Sequence, residues 1–144
     1  ANGMFVMFAS LTGSAPIEPT LFDDSFIAGG ADWNAWKTAV SDVKDKASLL
    51  RAAFYFDERL QKLKKQHAVN LLNHRNPYTG KRYAEDEAIA IFEVWNEQGF
   101  LKRTIDNGLN LPPFFQAKAQ NQWNEWLRAR YKTDAALQAA WGAL

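Results

Sequence analysis

The chain has 144 residues, of which 47% are hydrophobic and 14% aromatic, enough apolar material for a folded core. Its 17 basic and 16 acidic residues give a net charge of +1, and they are scattered rather than grouped. Such a surface produces no long-range field that would gather nucleic acid or an anionic membrane. The absence of cysteine excludes disulfide scaffolds, thiolate metal sites and cysteine nucleophiles.

The first segment combines a strand-like run with a long loop. Met4 to Leu11 is almost continuously apolar, which favours a strand buried on both faces, as in a parallel sheet. Residues 12–30 carry glycine, serine and proline without a sustained period, and loops of that length often border functional sites. Because the chain starts at Ala1 and enters the strand at once, we expect it to begin inside a domain.

Two helices and a turn follow. Asp32 is a candidate cap for a short helix through Val40, and Asp57 for a helix from about Phe56 to about Leu72. The apolar stripe of the second helix consists of Leu60, Leu63, His67 and Leu71. Proline and glycine within residues 76–80 predict a turn that ends this helix.

The second half repeats this order. Ala88 to Asn96 is rich in β-branched and aromatic residues and predicts a strand that ends in polar Asn96 and Glu97. A loop then leads to an amphipathic helix from Phe114 to Tyr131 and to a last helix capped by Thr133 or Asp134. The apolar face of the long helix is predicted to comprise Phe115, Ala119, Trp123, Trp126 and Leu127.

This alternation is typical of an α/β fold in which helices cover a parallel sheet. Two such βα units with long loops cannot close a barrel. Two isolated strands would leave edges unpaired, so we expect the chain to need the rest of its fold or a complementary chain.

The segment from Asn76 to Glu97, NPYTGKRYAEDEAIAIFEVWNE, resembles the fourth-strand region of cellulase- and mannanase-like glycoside hydrolases of clan A, of the family 5 type. Residues 123–131 and 137–142 are similar to the helical segment after that strand, so the resemblance covers about residues 54–144. It implies a (β/α)8 TIM barrel, with residues 1–144 as part of the catalytic domain, roughly from strand 3 to helix 4.

The resemblance also implies a retaining glycosidase acting on a β-linked polysaccharide or oligosaccharide, without a cofactor. Glu97 would be the general acid/base, and Asn96 would bind a sugar hydroxyl or the nucleophile. The family's nucleophile is a glutamate near the end of the seventh strand, which this sequence does not contain. Enzymes of this kind suggest a secreted or periplasmic location, although the sequence shows no signal peptide.

The residues themselves limit which carboxylates can work as a pair. Retention needs two carboxyl groups about 5–5.5 Å apart. Glu93 lies four residues before Glu97, or roughly 13 Å along a strand, so these two cannot be the pair. Glu93 shares a strand face with Trp95 and Glu97, so if Glu97 points to the barrel mouth, Glu93 points into the barrel interior. It would need a hydrogen-bonding or cationic partner there, and we interpret it as structural.

Two aromatic positions are candidates for sugar contact, each with a structural alternative. Trp95 could stack on a sugar or belong to the core. Trp33, with Trp36, could form a stacking platform at the barrel mouth or pack a helix against the barrel.

The remaining polar residues favour structural interpretations. His74 suits a helix C-terminus and His67 suits packing. Two histidines without cysteine do not reach the usual three ligands of a metal site unless carboxylates supply the rest. Residues 23–24 are interpreted as a solvated acidic loop, and Lys62, Lys64 and Lys65 as a solvated helix face. Two other functions remain open: a glycan-binding barrel without catalysis, and a half-barrel that assembles with a complementary chain.

Overall fold

The architecture is that of two short strands and a group of helices. The computed structural model describes residues 4–8, 27–43, 52–94 and 111–142. In chain order the elements are β1 (Val6–Phe8), α1 (Trp33–Ser41), α2 (Glu58–Asn73), a 3-10 turn (Tyr83–Glu85), β2 (Ile89–Phe92), α3 (Pro113–Tyr131) and α4 (Asp134–Trp141). None of the helices in these ranges combines the length and the apolar character that crossing a bilayer requires.

The two strands pair in parallel, which confirms the predicted direction of the sheet. Val6 aligns with Ile89 and Phe8 with Phe92, and the register shifts between Val6 and Met7. Both strands are shorter than the predicted runs, and residues 9–11, 95 and 96 lie outside the described ranges. Within those ranges there are two strands and no complete barrel, so the predicted α/β class is supported only for its first pairing.

Both strands expose apolar side chains. The exposed fractions are 77% for Met4, 72% for Phe5, 46% for Val6, 56% for Met7, 55% for Ile91 and 59% for Val94. The prediction of strands buried on both faces is therefore not met by the contacts of this chain. Exposed apolar side chains are nevertheless expected for two strands without neighbours, since a parallel sheet is covered by helices and further strands.

The helices, in contrast, form a closed apolar core. Trp36 of α1, Leu60 and Leu63 of α2 and Phe115 of α3 are each at most 1% exposed. These positions recur at helical spacing, and each helix turns them toward the other two. Burial of such side chains stabilises the fold by roughly 1.5–3 kcal/mol each, which makes this cluster the main source of stability among the described residues.

One carboxylate joins these three helices. Asp57 is fully buried and caps α2, where its Oδ1 accepts a hydrogen bond from the backbone N–H of Leu60 at 3.0 Å. The same oxygen accepts the indole N–H of Trp36 at 3.3 Å, and Oδ2 accepts the ammonium of Lys118 at 2.9 Å. The predicted cap is confirmed, and the capping side chain also anchors α1 and α3.

Asp32 occupies the predicted cap position of α1, but the predicted capping bond is absent. Its two carboxylate oxygens instead accept hydrogen bonds from Arg59 at 2.6 and 3.2 Å. Arg59 also donates to the backbone carbonyls of Ile27 and Gly29. Arg59 offers the carboxylate two hydrogen bonds from a cation, whereas capping would offer it a bond from a neutral backbone N–H, which explains why the carboxylate turns away from the helix.

The predicted solvated face of α2 is wrong at one position. Lys62 and Lys65 are exposed, whereas Lys64 is 3% exposed. Its ammonium lies 4.4 Å from the centroid of the Phe54 ring, a cation–π geometry that compensates part of the cost of burial. Lys64 follows the buried Leu63, so the buried side of the helix is wider than the apolar stripe indicates.

The predicted turn and the last two helices are confirmed. The backbone N–H of Gly80 donates to the carbonyl of Asn76 at 2.8 Å, and Gly80 has a φ of 69°. Thr133 caps α4 by accepting the backbone N–H of Ala136 at 3.2 Å. The predicted apolar face of α3 is only partly buried, because Trp123 and Trp126 remain 45% and 47% exposed.

Candidate active site

The feature that could place catalytic residues is the carboxyl edge of the parallel pair. The backbone N–H of Glu93 donates to the carbonyl of Phe8 at 2.8 Å, which continues the pairing one residue past the end of β2. Because the strands are parallel, Phe8 and Glu93 lie at the same edge of the sheet, the one at the carboxyl ends of both strands. In α/β barrels this edge carries the catalytic residues.

Aromatic rings pack beside the paired ends of the strands. Phe8 contacts Tyr83 at a centroid distance of 5.0 Å and Phe92 at 5.9 Å, both edge to face. The ring of His74, the residue that follows α2, lies 5.0 Å from Tyr83. This arrangement confirms the predicted position of His74 at a helix C-terminus, and it fixes the strand pair against the segment that precedes β2.

Glu93 lies at this edge with its carboxylate turned inward. The side chain is half-buried, and its Oε2 is buried without a hydrogen-bond partner among the described residues. The sequence predicts that Glu93 needs a donor or a cation, and the described ranges do not supply one to this oxygen. A buried oxygen without a partner is unfavourable by about 1–3 kcal/mol, so this position calls for a donor from elsewhere.

The predicted catalytic residues follow within a few positions. Trp95, Asn96 and Glu97 lie outside the described residues, as does the acidic pair at positions 23–24. From Glu93 to Glu97 the chain can span at most about 13 Å. Their assignments to catalysis and sugar binding therefore remain predictions from the sequence.

Trp33 is located at the first residue of α1 and is partly buried. Its ring stacks on Trp36 at a centroid distance of 5.5 Å and an angle of 16°. The ammonium of Lys37 lies 5.1 Å from its ring centroid and the guanidinium of Arg59 lies 5.7 Å from it. Trp36 itself is in the core, so it has the predicted role in helix packing and not the one in sugar stacking. Of the two rings, Trp33 alone keeps an accessible portion.

Two ion pairs shift the titration of their carboxylates. The hydrogen bonds from Arg59 hold the pKa of Asp32 below its usual value. Arg82 lowers the pKa of Glu85 in the same way, also mainly through its hydrogen bond. Both pairs stabilise the charged carboxylate. A general acid needs the opposite shift, so neither group has the electrostatics of a proton donor.

The described ranges contain no group of three or more His, Asp or Glu side chains arranged to hold a metal ion. His67 is partly buried on α2, and His74 is exposed at its C-terminal end.

Comparison with known proteins assigns the family. Residues 60–144 match the model of glycoside hydrolase family 42, which is described as beta-galactosidase. The chain belongs to this family. The match begins in α2 and includes β2, the segment that carries Glu97, and both C-terminal helices. A search of curated proteins and a search of solved structures gave no match.

Membership of the beta-galactosidase family corrects the resemblance drawn from the sequence. Family 42 belongs to the TIM-barrel clan A, so the clan and the glycosidase class are confirmed. The family 5 cellulase- and mannanase-like type is not supported. The assignment to family 5 was therefore too narrow, whereas the assignment to the clan was right.

Sequence reasoning also missed the polar contacts that organise the helices of this beta-galactosidase-family chain. Lys118 reaches Asp57 across 61 positions, and Arg59 reaches Asp32 across 27. Such pairs have no local pattern. A lysine on the buried side of a predicted amphipathic helix was the one available signal, because a buried ammonium needs a partner.

Proposed function

We propose that this chain carries the general acid/base of a retaining β-galactosidase, and that Glu97 is that residue. In this mechanism Glu97 donates a proton to the departing glycosidic oxygen while a second carboxylate attacks the anomeric carbon. Glu97 then removes a proton from the water that hydrolyses the glycosyl-enzyme ester. The observation that carries the proposal is the parallel edge formed by Phe8 and Glu93. Glu93 lies four residues before Glu97, and both glutamates are within the family match.

The second carboxylate comes from another part of the protein in this proposal. Glu93 is too far along the strand for the separation of about 5–5.5 Å that retention requires. Asn96 would bind a sugar hydroxyl or the nucleophile, and Trp95 and Trp33 would contact the sugar. The substrate proposed here is a β-galactoside, on the ground of the family description.

The exposed sheet supports a second part of the proposal, that residues 1–144 are a section of a (β/α)8 domain from about strand 3 to helix 4. Met4, Phe5 and Ile91 are more than half exposed, and Glu93 has a buried oxygen without a partner among the described residues. Further strands of a barrel, from the same or a complementary chain, would cover the exposed apolar side chains and supply a donor to the Glu93 oxygen. Co-expression with the missing barrel segments and light scattering of the purified product test this assembly.

The decisive experiment compares Glu97→Gln with the unaltered complete enzyme on aryl β-galactosides with good and poor leaving groups. We expect turnover of the poor leaving group to fall about 10²–10⁴-fold, because it cannot depart without a proton. For the substrate with the good leaving group, the rate of the first step, formation of the glycosyl-enzyme, should fall much less. Azide, which attacks without a general base, should restore turnover and give β-galactosyl azide.

Glu87→Gln is the matched control, since the Glu87 side chain is 89% exposed and pairs only with Lys81 among the described residues. Its activity should equal that of the unaltered enzyme. Unchanged turnover of both substrates by Glu97→Gln would exclude the acid/base assignment. Binding of galactosides by an unaltered protein that hydrolyses none of them would instead favour a glycan-binding barrel. Periplasmic or secreted location is likewise proposed, and fractionation of cells that express the full protein tests it.

A further inference from the structure

A rigid cluster of aromatic side chains lies on the surface between α3 and α4. Trp123 and Trp126 stack at a centroid distance of 5.0 Å and an angle of 18°. Trp141 lies 6.0 Å from Trp123, and Tyr131 lies 6.3 Å from both Trp126 and Trp141. The indole N–H of Trp141 donates to the Tyr131 hydroxyl at 2.7 Å, which fixes the two helices relative to each other.

These rings are held in place and yet remain open to solvent. Trp123, Trp126 and Trp141 are 45%, 47% and 50% exposed. Exposed tryptophans usually lose side-chain freedom when they bind a ligand, at a cost in affinity. Here the mutual stacking has already removed that freedom, so the cluster is prepared for a ligand that lies against its faces.

A groove of about 700 Å³ runs beside Trp123 and Trp126, within the range of small-molecule sites. Its floor is apolar, formed by Phe56, Leu111 and Ala119, and its polar lining consists of Gln116, Gln120 and Gln122. All of these side chains are uncharged. The groove therefore complements a neutral ligand, since its lining has no cationic side chain to pair with a phosphate or a carboxylate.

The three carboxamides are also fixed in position. Gln116 donates to the carbonyl of Leu111 at 2.6 Å, Gln120 to the side-chain oxygen of Asn124 at 2.8 Å, and Gln122 to the carbonyl of Phe56 at 2.9 Å. Each amide has a second N–H and an oxygen that accepts no bond within the described ranges. Covering them with an apolar helix would leave these groups unsatisfied, whereas hydroxyl groups would satisfy them.

We infer that this groove is a second carbohydrate-binding site, which holds a neutral oligosaccharide with C–H faces on Trp123 and Trp126 and hydroxyls on the glutamine amides. Trp123 lies about 15 Å along α3 from its first residue, Pro113, at 1.5 Å per residue. In a barrel the helix N-termini are on the catalytic side. The groove therefore begins on that side, at Phe56 and Leu111 just before α2 and α3, and leads away from it toward Trp123 and Trp126. It would retain a long substrate or product. The inference rests on the proposed function only for the choice of oligosaccharide.

The test uses the complete protein with Glu97→Gln and a β-linked galactotetraose as probe, with indole N–H signals followed by NMR. Single Trp→Phe variants assign the signals. We expect the signals of Trp123 and Trp126 to shift on titration while that of the buried Trp36 stays in place. Trp126→Ala and Gln120→Ala should each weaken this binding about tenfold, the first through loss of an aromatic contact and its buried area and the second through loss of hydrogen bonds to the amide. Gln120 is exposed, so its variant should keep the fold.

Tyr78→Ala is the matched control, because Tyr78 is an aromatic residue with 95% exposure that does not line the groove. It should bind the probe unchanged. Absence of shifts at Trp123 and Trp126 up to the solubility limit of the probe would overturn the inference. So would protection of these tryptophans from acrylamide quenching in the unliganded protein, since that would show that polypeptide covers the groove. Loss of hydrolysis in Glu97→Gln is measured separately, so the two proposals can fail independently.

Discussion

Removal of the Asp57 carboxylate is the sharpest test of how the helices are held together. Asp57→Ala removes the α2 cap, which is worth about 1 kcal/mol. It also leaves the indole N–H of Trp36 without its acceptor inside the core, at about 1–3 kcal/mol. Breaking a buried ion pair typically destabilises by about 3–5 kcal/mol, but the Lys118 side chain is 25% exposed and can partly rehydrate. These effects share one carboxylate and overlap, so we expect a total of about 3 kcal/mol.

The assay is urea unfolding of the full chain, followed by far-UV circular dichroism and tryptophan fluorescence. Asp57→Asn keeps an oxygen for Leu60 and Trp36 but removes the charge and replaces the acceptor of Lys118 with an amide NH2, so its cost should come from the Lys118 contact alone and be about half as much. Thr133→Ala is the matched control, because it removes a cap bond of similar geometry at the exposed start of α4. Its expected cost is about 0.5–1 kcal/mol. If Asp57→Ala destabilised no more than Thr133→Ala, the contacts with Trp36 and Lys118 would contribute nothing measurable.

Three further predictions concern the pH dependence, the turn and the core. The pKa of Asp32 is lowered by Arg59, so this pair stabilises the fold above the unfolded-state value of about 3.9 and is lost as the pH falls through the lower folded value. The stabilities of Asp32→Asn and the unaltered chain, followed against pH, should therefore converge below about pH 4. Glu85→Gln, whose pair is on the surface, should change the stability little. Stability curves of Asp32→Asn and the unaltered chain that stay parallel at all pH values would contradict this. Gly80→Ala should destabilise the turn by about 1 kcal/mol, because the φ of 69° strains a residue with a Cβ, and thermal melting measures it; no loss would show that the turn relaxes. Phe115→Ala should cost about 3–5 kcal/mol in urea unfolding because its ring is fully buried, and Phe115→Leu should cost much less; equal costs would mean that the core collapses around the change.

Local patterns predicted the helices well, because their signals lie within a few residues. The α2 helix was expected from about Phe56 to Leu72 and occupies Glu58–Asn73, with Asp57 as its cap. The same is true of the turn at Gly80 and the cap at Thr133. In each case one residue type suits the local backbone: a capping side chain accepts an N–H that needs an acceptor, or a glycine adopts a positive φ.

The errors arose where a distant charge changed the local balance. Asp32 has the right position for a cap, but Arg59 offers it two charged hydrogen bonds. Lys64 belongs to a run of lysines that indicates a solvated face, yet it is buried against Phe54. No pattern within one helix contains this information. The site was predicted at the level of the strand edge, and its clan was confirmed, whereas the family required a comparison across 85 residues, from 60 to 144.

The two halves of the molecule differ in how complete they are, and this bears on the chemistry. The helical core buries Asp57, Trp36 and Phe115 with every polar atom of Asp57 hydrogen-bonded. The sheet exposes its apolar residues and leaves an oxygen of Glu93 without a donor among the described residues. A general acid needs a raised pKa, and a carboxyl group acquires one from a dry, enclosed environment. In the proposed role, Glu97 follows the open strand and not the closed core. We therefore expect the required proton affinity only in a protein in which further polypeptide covers that sheet, and a variant at Glu97 tests the role only there.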